Sequence, residues 1–108
     1  MATMNATINL FGTNYSVTLA RNTYMEGQAL AVSLNDASDG SPFAYISVNL
    51  PPASAKLPPN TFYCKDWSEN ATIIPQLEAQ GLIKPRPDID PIPTGFVVAR
   101  AYELTVKE

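Results

Sequence analysis

The strongest constraint on this chain is a two-residue alternation of apolar and polar side chains that recurs through its first half. The first two runs place apolar residues at Ala6, Ile8 and Leu10, and then at Tyr15, Val17 and Leu19. A period of two is typical of half-buried β-strands, and the intervening Gly12-Thr13-Asn14 is typical of a turn. The chain is therefore predicted to open with a β-hairpin.

A second pair of alternating runs predicts another hairpin. Its apolar positions are Leu30, Val32 and Leu34, followed by Ala44, Ile46, Val48 and Leu50. Between the runs, Asp39-Gly40 can supply the positive φ angle that the loop requires. Four strands with one apolar face then need a covering element.

The segment from Asn70 to about Gln80 is the predicted cover, a helix with a short apolar stripe of Ile73, Ile74 and Leu77. Asp66 and Ser68 are possible N-caps, and Asp66 with Glu69 also fits a capping box. Pro75 cannot donate a hydrogen bond inside a helix, so the regular helix is expected to begin nearer Ala71 or Thr72, after an irregular first turn.

The helix is predicted to end in a Schellman motif. Gly81 suits the left-handed position just beyond the helix, and Leu82 would then pack back onto Leu77.

The last predicted strand carries apolar residues on one side, and no proline interrupts it, which permits a central place in the sheet. These residues are Phe96, Val98, Tyr102, Leu104 and Val106. Arg100 interrupts that side. Either Arg100 points inward to a carboxylate or a bulge near Val98–Ala101 shifts the register, and the bulge is favoured.

These elements predict one α+β domain spanning residues 1–108, with an antiparallel sheet of about five strands and one short helix packed on one face. Apolar residues make up 45% of the chain and charged residues 16%, below the usual charged fraction of about 25%. A globular domain is therefore expected.

Two loops are rich in proline, Pro51 to Pro59 and Lys84 to Gly95. The second, which we call the proline strap, has two interpretations: a stiff connection from the helix to the last strand, or a partner-facing edge. No two prolines in the chain are three residues apart, so a PxxP ligand is absent. The stiff connection is the simpler interpretation.

The sequence lacks the residues of the commonest catalytic sites. It has no histidine, one cysteine and five dispersed glycines, so histidine-based triads, His/Cys zinc sites and phosphate-binding glycine loops cannot be built. Carboxylate pairs remain, at Asp36/Asp39, Asp66/Glu69 and Asp88/Asp90, and each also fits a turn, a cap or a solvated loop. We therefore predict no catalytic, metal-binding or cofactor-binding residue. Cys64 is expected to be a buried, inert thiol.

Charge and segment lengths narrow the class of partner. The net charge is −3 and the seven basic residues are dispersed, which disfavours direct nucleic-acid binding. No segment approaches the roughly 20 apolar residues of a membrane span, and the N-terminus does not have the pattern of a signal peptide. A cytoplasmic protein with a protein partner is expected.

The densest aromatic patch is formed by Phe62, Tyr63 and Trp67. It is predicted as core beneath the helix, with an interface anchor as the alternative, because Trp and Tyr are enriched at binding hot spots. The candidate partner-binding residues combine this patch with the strap: Trp67, Tyr63, Asp66, Arg86, Asp88, Ile89 and Asp90.

Several segments together resemble a known family: INLFGTNYSVTL, LAVSLND with AYISVNLP, LPPNTFYCKDW, and TGFVVARAYEL. They resemble domain-of-unknown-function family 4313, small proteins of phages and conjugative elements. Because that family has no assigned activity, the resemblance implies no functional residue. It does imply a mobile-element setting, in which small non-enzymatic proteins often block host nucleases or immune effectors.

The functional expectation is accordingly a non-enzymatic protein-binding module, an inhibitor of a host defence nuclease complex of the anti-CRISPR or anti-restriction type. An acidic face would dock on the basic channel of that complex, and its binding would weaken with salt. One alternative is an assembly component of a phage or conjugation machine whose exposed last strand extends a partner's sheet. The other is a metal binder that uses Asp36, Asp88 or Asp90.

Overall fold

The computed structural model describes residues 4–25, 29–50, 53–68 and 70–105. They form two antiparallel sheets, one α-helix and a short 3-10 turn at Ser54–Lys56. The elements are β1 Met4–Leu10, β2 Thr13–Thr23, β3 Leu30–Asp36, β4 Pro42–Tyr45, β5 Ser47–Val48, β6 Thr61–Cys64, α1 Asn70–Ala79, β7 Ile83–Pro85, β8 Ile92–Thr94 and β9 Val97–Leu104.

The first sheet has the strand order β1-β2-β3-β4 and contains the first predicted hairpin and the part of the second that ends at Tyr45. In the first hairpin Leu10 pairs with Thr13, so the turn is Phe11-Gly12, one residue earlier than predicted. Both residues have positive φ, 53° for Phe11 and 85° for Gly12, as two-residue turns that follow the strand twist require. Phe11 is fully exposed at this tip.

The expected single sheet is wrong, because the second alternating run divides between two sheets. β4 ends at Tyr45 in the first sheet, and β5 begins at Ser47 in the second. The buried Ile46 lies between them, and its backbone forms one hydrogen bond to each side. Its N–H donates to the carbonyl of Val32 in β3 at 3.1 Å, and its carbonyl accepts the N–H of Lys65, just after β6, at 2.7 Å. The alternation therefore also changes face, and Val48 and Leu50 pack away from the main core.

The side chain of Asn70 stabilises this crossover. Asn70 is 1% exposed, and its Nδ2 donates to the carbonyls of Tyr45 at 2.7 Å and Lys65 at 2.9 Å. The first residue of α1 is thereby tied to the point at which the chain passes between the sheets.

The second sheet has the order β5-β6-β9-β7, and β8 also pairs with β9. The last strand, β9, lies between β6 and β7, a central position that its lack of proline permits. The predicted bulge is wrong, since β9 pairs without a shift of register both with β8, from Val97 to Ala99, and with β6, from Arg100 to Glu103. Arg100 is accommodated because it lies 3.7 Å from the Asp66 carboxylate and stays largely exposed. Phe96 belongs to the turn before β9 and is fully exposed, and Val106 lies outside the described residues.

The main core is shared by both sheets and the helix. It includes Ile8, Val17, Leu34, Ile46, Phe62, Cys64, Ile73, Leu77, Tyr102 and Leu104. The helix begins at Asn70, earlier than Pro75 led us to expect. Pro75 deprives the Ala71 carbonyl of its helical donor, but both residues are exposed, so water can replace the donor.

The predicted Schellman motif is confirmed. Gly81 has φ 76°, the Leu82 N–H donates to the Leu77 carbonyl at 3.1 Å, and the Gly81 N–H donates to the Glu78 carbonyl at 3.0 Å. Leu82 packs against the main core as expected.

The outer edge of β1 is covered by two glutamine side chains of the helix end. Gln76 accepts the Asn9 N–H at 2.7 Å and donates to the Asn9 carbonyl at 2.9 Å. Gln80 makes the same pair of bonds with Thr7, at 3.2 and 2.8 Å. The spacing matches because four helical residues rise about 6 Å, close to the roughly 6.8 Å of two strand residues. We call this arrangement the glutamine clamp.

Candidate protein-binding surface

The proline strap pairs at both ends with the edge of β9, and its Ile89 and Ile92 pack on the face away from the helix. The Arg86 N–H donates to the Ala101 carbonyl at 2.9 Å, and Ile92 of β8 pairs with Ala99. Between these points the Ile89 N–H donates to the Arg86 carbonyl at 3.1 Å, which forms a turn within the strap. Ala99 and Ala101 are fully buried beneath the strap.

A second apolar cluster forms under this strap. It is built on Tyr63, Ala99 and Ala101, and its partly buried members are Val48, Leu50, Ala53, Leu57, Trp67, Ile89 and Ile92. Both proline-rich loops contribute, since Ala53 and Leu57 come from the first and Ile89 and Ile92 from the second. We call this cluster, with the charged groups that surround it, the strap surface.

The predicted aromatic patch is divided between the two faces of the sheet. Phe62 lies in the main core beneath the helix, as predicted. Tyr63 and Trp67 instead belong to the strap surface, Tyr63 buried at 5% exposure and Trp67 partly buried. Alternate strand residues face opposite sides of a sheet, so adjacent aromatic residues on β6 cannot share one core.

Arg86 orders the charged rim of the strap surface. Its Nε and Nη2 donate to the two carboxylate oxygens of Asp88 at 3.0 and 2.9 Å, and its Nη1 lies 3.3 Å from Glu103. Lys84 approaches the same Glu103 oxygen at 3.7 Å. The hydrogen bond from Arg86 lowers the pKa of Asp88, and the same bond raises the pKa of Arg86.

The remaining candidate residues lie on the same side of the molecule or at its edge. Asp66 pairs with Arg100. Burial raises the pKa of the Tyr63 hydroxyl, and the nearby charge of Asp90 raises it further. The structure therefore brings the sequence-predicted residues together around β9, although it buries Tyr63 beneath the surface as a supporting residue.

Two shallow depressions flank Ile89. One of about 240 Å³ is lined by Pro85, Arg86, Pro87, Pro91, Arg100 and Ala101. The other, about 270 Å³, is lined by Ala53, Lys56, Leu57, Pro58 and Tyr63. Each has an apolar floor and a cationic margin, so each could accept an apolar side chain of a partner.

The strap surface is not the acidic face that the net charge suggested. Its cations Lys56, Lys84, Arg86 and Arg100 are matched in number by the carboxylates Asp66, Asp88, Asp90 and Glu103. Most of them also pair within the chain, which lowers their attraction for a charged partner. Docking here would rest on apolar contact more than on charge.

Sequence reasoning missed Arg100, Ala101 and Leu57 as parts of this surface. Leu57 carried no signal in the sequence, since only the tertiary fold brings the first proline-rich loop to the second.

The other carboxylates have local partners. Asp36 accepts the N–H of Ser38 at 2.8 Å, and Asp39 accepts the N–H of Ser41 at 2.9 Å. The hydrogen bonds from Ser38 lower the pKa of Asp36. Within residues 4–25, 29–50, 53–68 and 70–105, no three Asp, Glu or Cys side chains converge on a possible metal position. Glu69 of the predicted capping box lies outside those ranges.

Cys64 is fully buried, and burial is the main cause of a raised thiol pKa. The thiol is therefore protonated at neutral pH, and protonated thiols are poor nucleophiles. The described part of the chain contains no helix of sufficient length and apolarity to cross a membrane.

Comparison with known proteins identifies no relative of this chain. No protein-family model matches the sequence, no curated protein matches it significantly, and no solved structure does so either. The resemblance to family 4313 thus stays a prediction.

Proposed function

We propose that this protein is a small non-enzymatic protein-binding module and that the strap surface is its partner interface. The observation that carries the proposal is the convergence of Trp67, Ile89 and the Arg86–Asp88 pair on one face of β9. A partly buried tryptophan in the same apolar cluster as Ile89, together with an ordered arginine, is the composition of an interface hot spot. The partner we propose is an apolar protein segment that fills the depressions flanking Ile89.

The strap supports this role by its rigidity. Four of its twelve residues are proline, and hydrogen bonds to β9 hold both of its ends. A surface that is ordered before binding loses little conformational entropy on association. In this proposal the strap has both of the roles considered above: it is a stiff connection, and it is the edge that contacts a partner.

The more specific proposal is inhibition of a host defence nuclease complex. It is supported by the resemblance to a mobile-element family and by the missing catalytic inventory, both properties of the sequence. Since the strap surface has balanced charge, we propose that the inhibitor contacts a protein surface of the complex, outside its basic nucleic-acid channel. Binding would then be nearly independent of salt, in contrast to the acidic-face expectation.

The assembly alternative relied on an exposed last strand. β9 lies between β6 and β7 and has no free edge along Tyr102–Glu103, where it pairs on both sides. The clamp occupies the outer edge of β1 at Thr7 and Asn9. No observation favours this alternative over the strap surface.

The test is affinity capture from a lysate of the natural host, followed by quantitative binding to the captured protein. Ile89→Ala and Trp67→Ala remove the two apolar contacts, and each is expected to weaken binding at least tenfold, the effect of a hot-spot residue. Tyr45→Ala is the matched control, since Tyr45 is an exposed aromatic residue of the first sheet. Circular dichroism establishes that each variant is folded.

Two outcomes would count against the proposal. Unchanged affinity of folded Ile89→Ala and Trp67→Ala variants would remove the strap surface as the interface. Binding that falls steeply with salt would return the interface to an acidic region, such as the exposed loop of Asp39. If the captured partner is a nuclease, its activity should fall with stoichiometric wild-type protein and not with Ile89→Ala.

A further inference from the structure

A separate cleft of about 320 Å³ lies where β2 meets the first proline-rich loop. It is lined by side chains or backbone of Arg21, Thr23, Ser54, Pro58, Asn60 and Thr61, among others. This volume is at the lower end of the range typical of small-molecule sites. The cleft is separate from the glutamine clamp and adjoins the strap surface, with which it shares Leu57 and Pro58.

Arg21 is the feature that distinguishes this cleft. Its Nη2 donates to Asn60 Oδ1, whereas its Nη1 is buried without a hydrogen-bond partner. In the described part of the chain, Arg21 makes no ion pair with a carboxylate. A guanidinium group that is buried and only partly bonded is unfavourable, because lost hydration is not replaced.

The other lining groups suit an anion. Among the described residues that line the cleft there is no carboxylate, so none of them carries a negative charge that would repel an anion. Ser54 is 5% exposed, and its Oγ accepts the Leu50 N–H at 2.8 Å, which leaves its hydroxyl hydrogen to donate elsewhere. Within the described residues, the cleft thus combines one cation that has no carboxylate partner with one available hydroxyl donor.

We propose that this cleft binds a small oxyanion, the carboxylate or phosphate group of a small molecule, through Arg21. Nη1 is covered in the present conformation, so contact requires the guanidinium to rotate toward the cleft. Rotation would break one hydrogen bond, the one from Nη2 to Asn60, and would move Nη1 out of its present packing. The anion would supply the charge-assisted hydrogen bonds that Nη1 now lacks.

The experiment titrates the whole protein with inorganic phosphate and, separately, with acetate, with sodium chloride at matched ionic strength as the reference. Amide and arginine side-chain NMR signals are followed. We expect saturable shifts at Arg21, Ser54 and Asn60, and a melting temperature that rises by about 5 °C when the ligand exceeds its Kd tenfold. A response to one probe alone identifies which oxyanion the cleft prefers.

Three variants make the assignment specific. Arg21→Met should abolish the shifts, and Arg21→Lys should weaken binding because a single ammonium lacks the guanidinium geometry. Arg100→Met changes net charge equally on a different surface and should bind as the wild type does. The wild-type titration remains decisive if Arg21→Met does not fold.

The proposal is overturned if wild-type signals shift no more with phosphate and acetate than with chloride. It is also overturned if saturable shifts occur away from the cleft, or if Arg21→Met binds normally. Because these measurements require no protein partner, they are independent of the proposed interface function.

Discussion

At the scale of single residues, the charged groups of the strap act as a paired network. Arg86 contacts two carboxylates, Asp88 and Glu103, and its side chain is only 25% exposed. An arginine held in a bidentate geometry loses little further entropy on binding and presents a fixed shape. The pair therefore positions the strap more than it attracts a charged partner.

This network predicts how Asp88 titrates. In an Arg86→Met variant, the pKa of Asp88 should rise toward its ordinary value of 3.8, because its strongest stabilising hydrogen bond is lost. In the wild type the pKa of Asp88 is lower in the folded state than in the unfolded state. The pair therefore contributes its full stability at pH values above the unfolded-state pKa, and this stability is lost as the pH falls through the folded-state pKa. Side-chain carboxyl NMR against pH is the measurement.

The internal control is Asp36 in the same titration. Its pKa is lowered mainly by hydrogen bonds from Ser38, and these do not involve Arg86. Asp36 should thus titrate identically in both proteins. An Asp88 pKa that does not move would show that Arg86 is not its main partner in solution.

At the scale of elements, the glutamine clamp covers the backbone groups at the exposed edge of strand β1. β1 is the first strand of its sheet, and unpaired edge groups promote pairing between chains. Gln76 and Gln80 bond the outward backbone groups of Asn9 and Thr7, so the helix both covers the core and closes the edge.

Removing the clamp should open that edge. In a Gln76→Ala/Gln80→Ala variant, we expect the amides of Thr7 and Asn9 to exchange with solvent faster. Stability should fall by about 1 kcal/mol for each glutamine, as for ordinary hydrogen bonds. Amide exchange by NMR and urea denaturation are the measurements, with sedimentation to detect association through the open edge.

Glu78→Ala provides the control, because Glu78 is an exposed residue between the two glutamines. It should leave both amides protected. Equal protection of Thr7 and Asn9 in the double variant would mean that the glutamine bonds do not persist in solution.

The elements also show where sequence patterns predict structure and where they do not. The hairpins, the helix and the Gly81 motif follow from local periodicity and turn chemistry, and all three are present. The division into two sheets at Ile46 and the splitting of Tyr63 from Phe62 depend on pairing between distant segments, which alternation alone does not report. The glutamine clamp was missed for the same reason, since Gln76 and Gln80 are ordinary surface residues until β1 lies beside them.

At the scale of the whole molecule, two apolar clusters share the second sheet. The main core unites both sheets with the helix, and the strap surface covers the opposite face of β6 and β9. Phe62 and Tyr63 are adjacent in one strand and belong to different clusters. Because the same strands support both clusters, we expect the loss of either cluster to destabilise the other.

This arrangement predicts one cooperative unfolding transition for residues 1–108. Trp67 is the only tryptophan of the chain and lies in the strap surface, so its fluorescence reports that face. Far-ultraviolet circular dichroism reports the two sheets and the helix together. The two probes should give the same urea midpoint and the same slope, because a single domain of this size unfolds in an all-or-none manner.

The Ile89→Ala variant sharpens this test, because it weakens the strap surface alone. Both probes should report the same lower urea midpoint. The free energy of unfolding should fall by about 2 kcal/mol or less, since Ile89 is only partly buried. A fluorescence transition that precedes the dichroism transition would show that the strap face melts on its own. The strap would then not be a preordered surface, and the entropic argument for its role as an interface would fail with it.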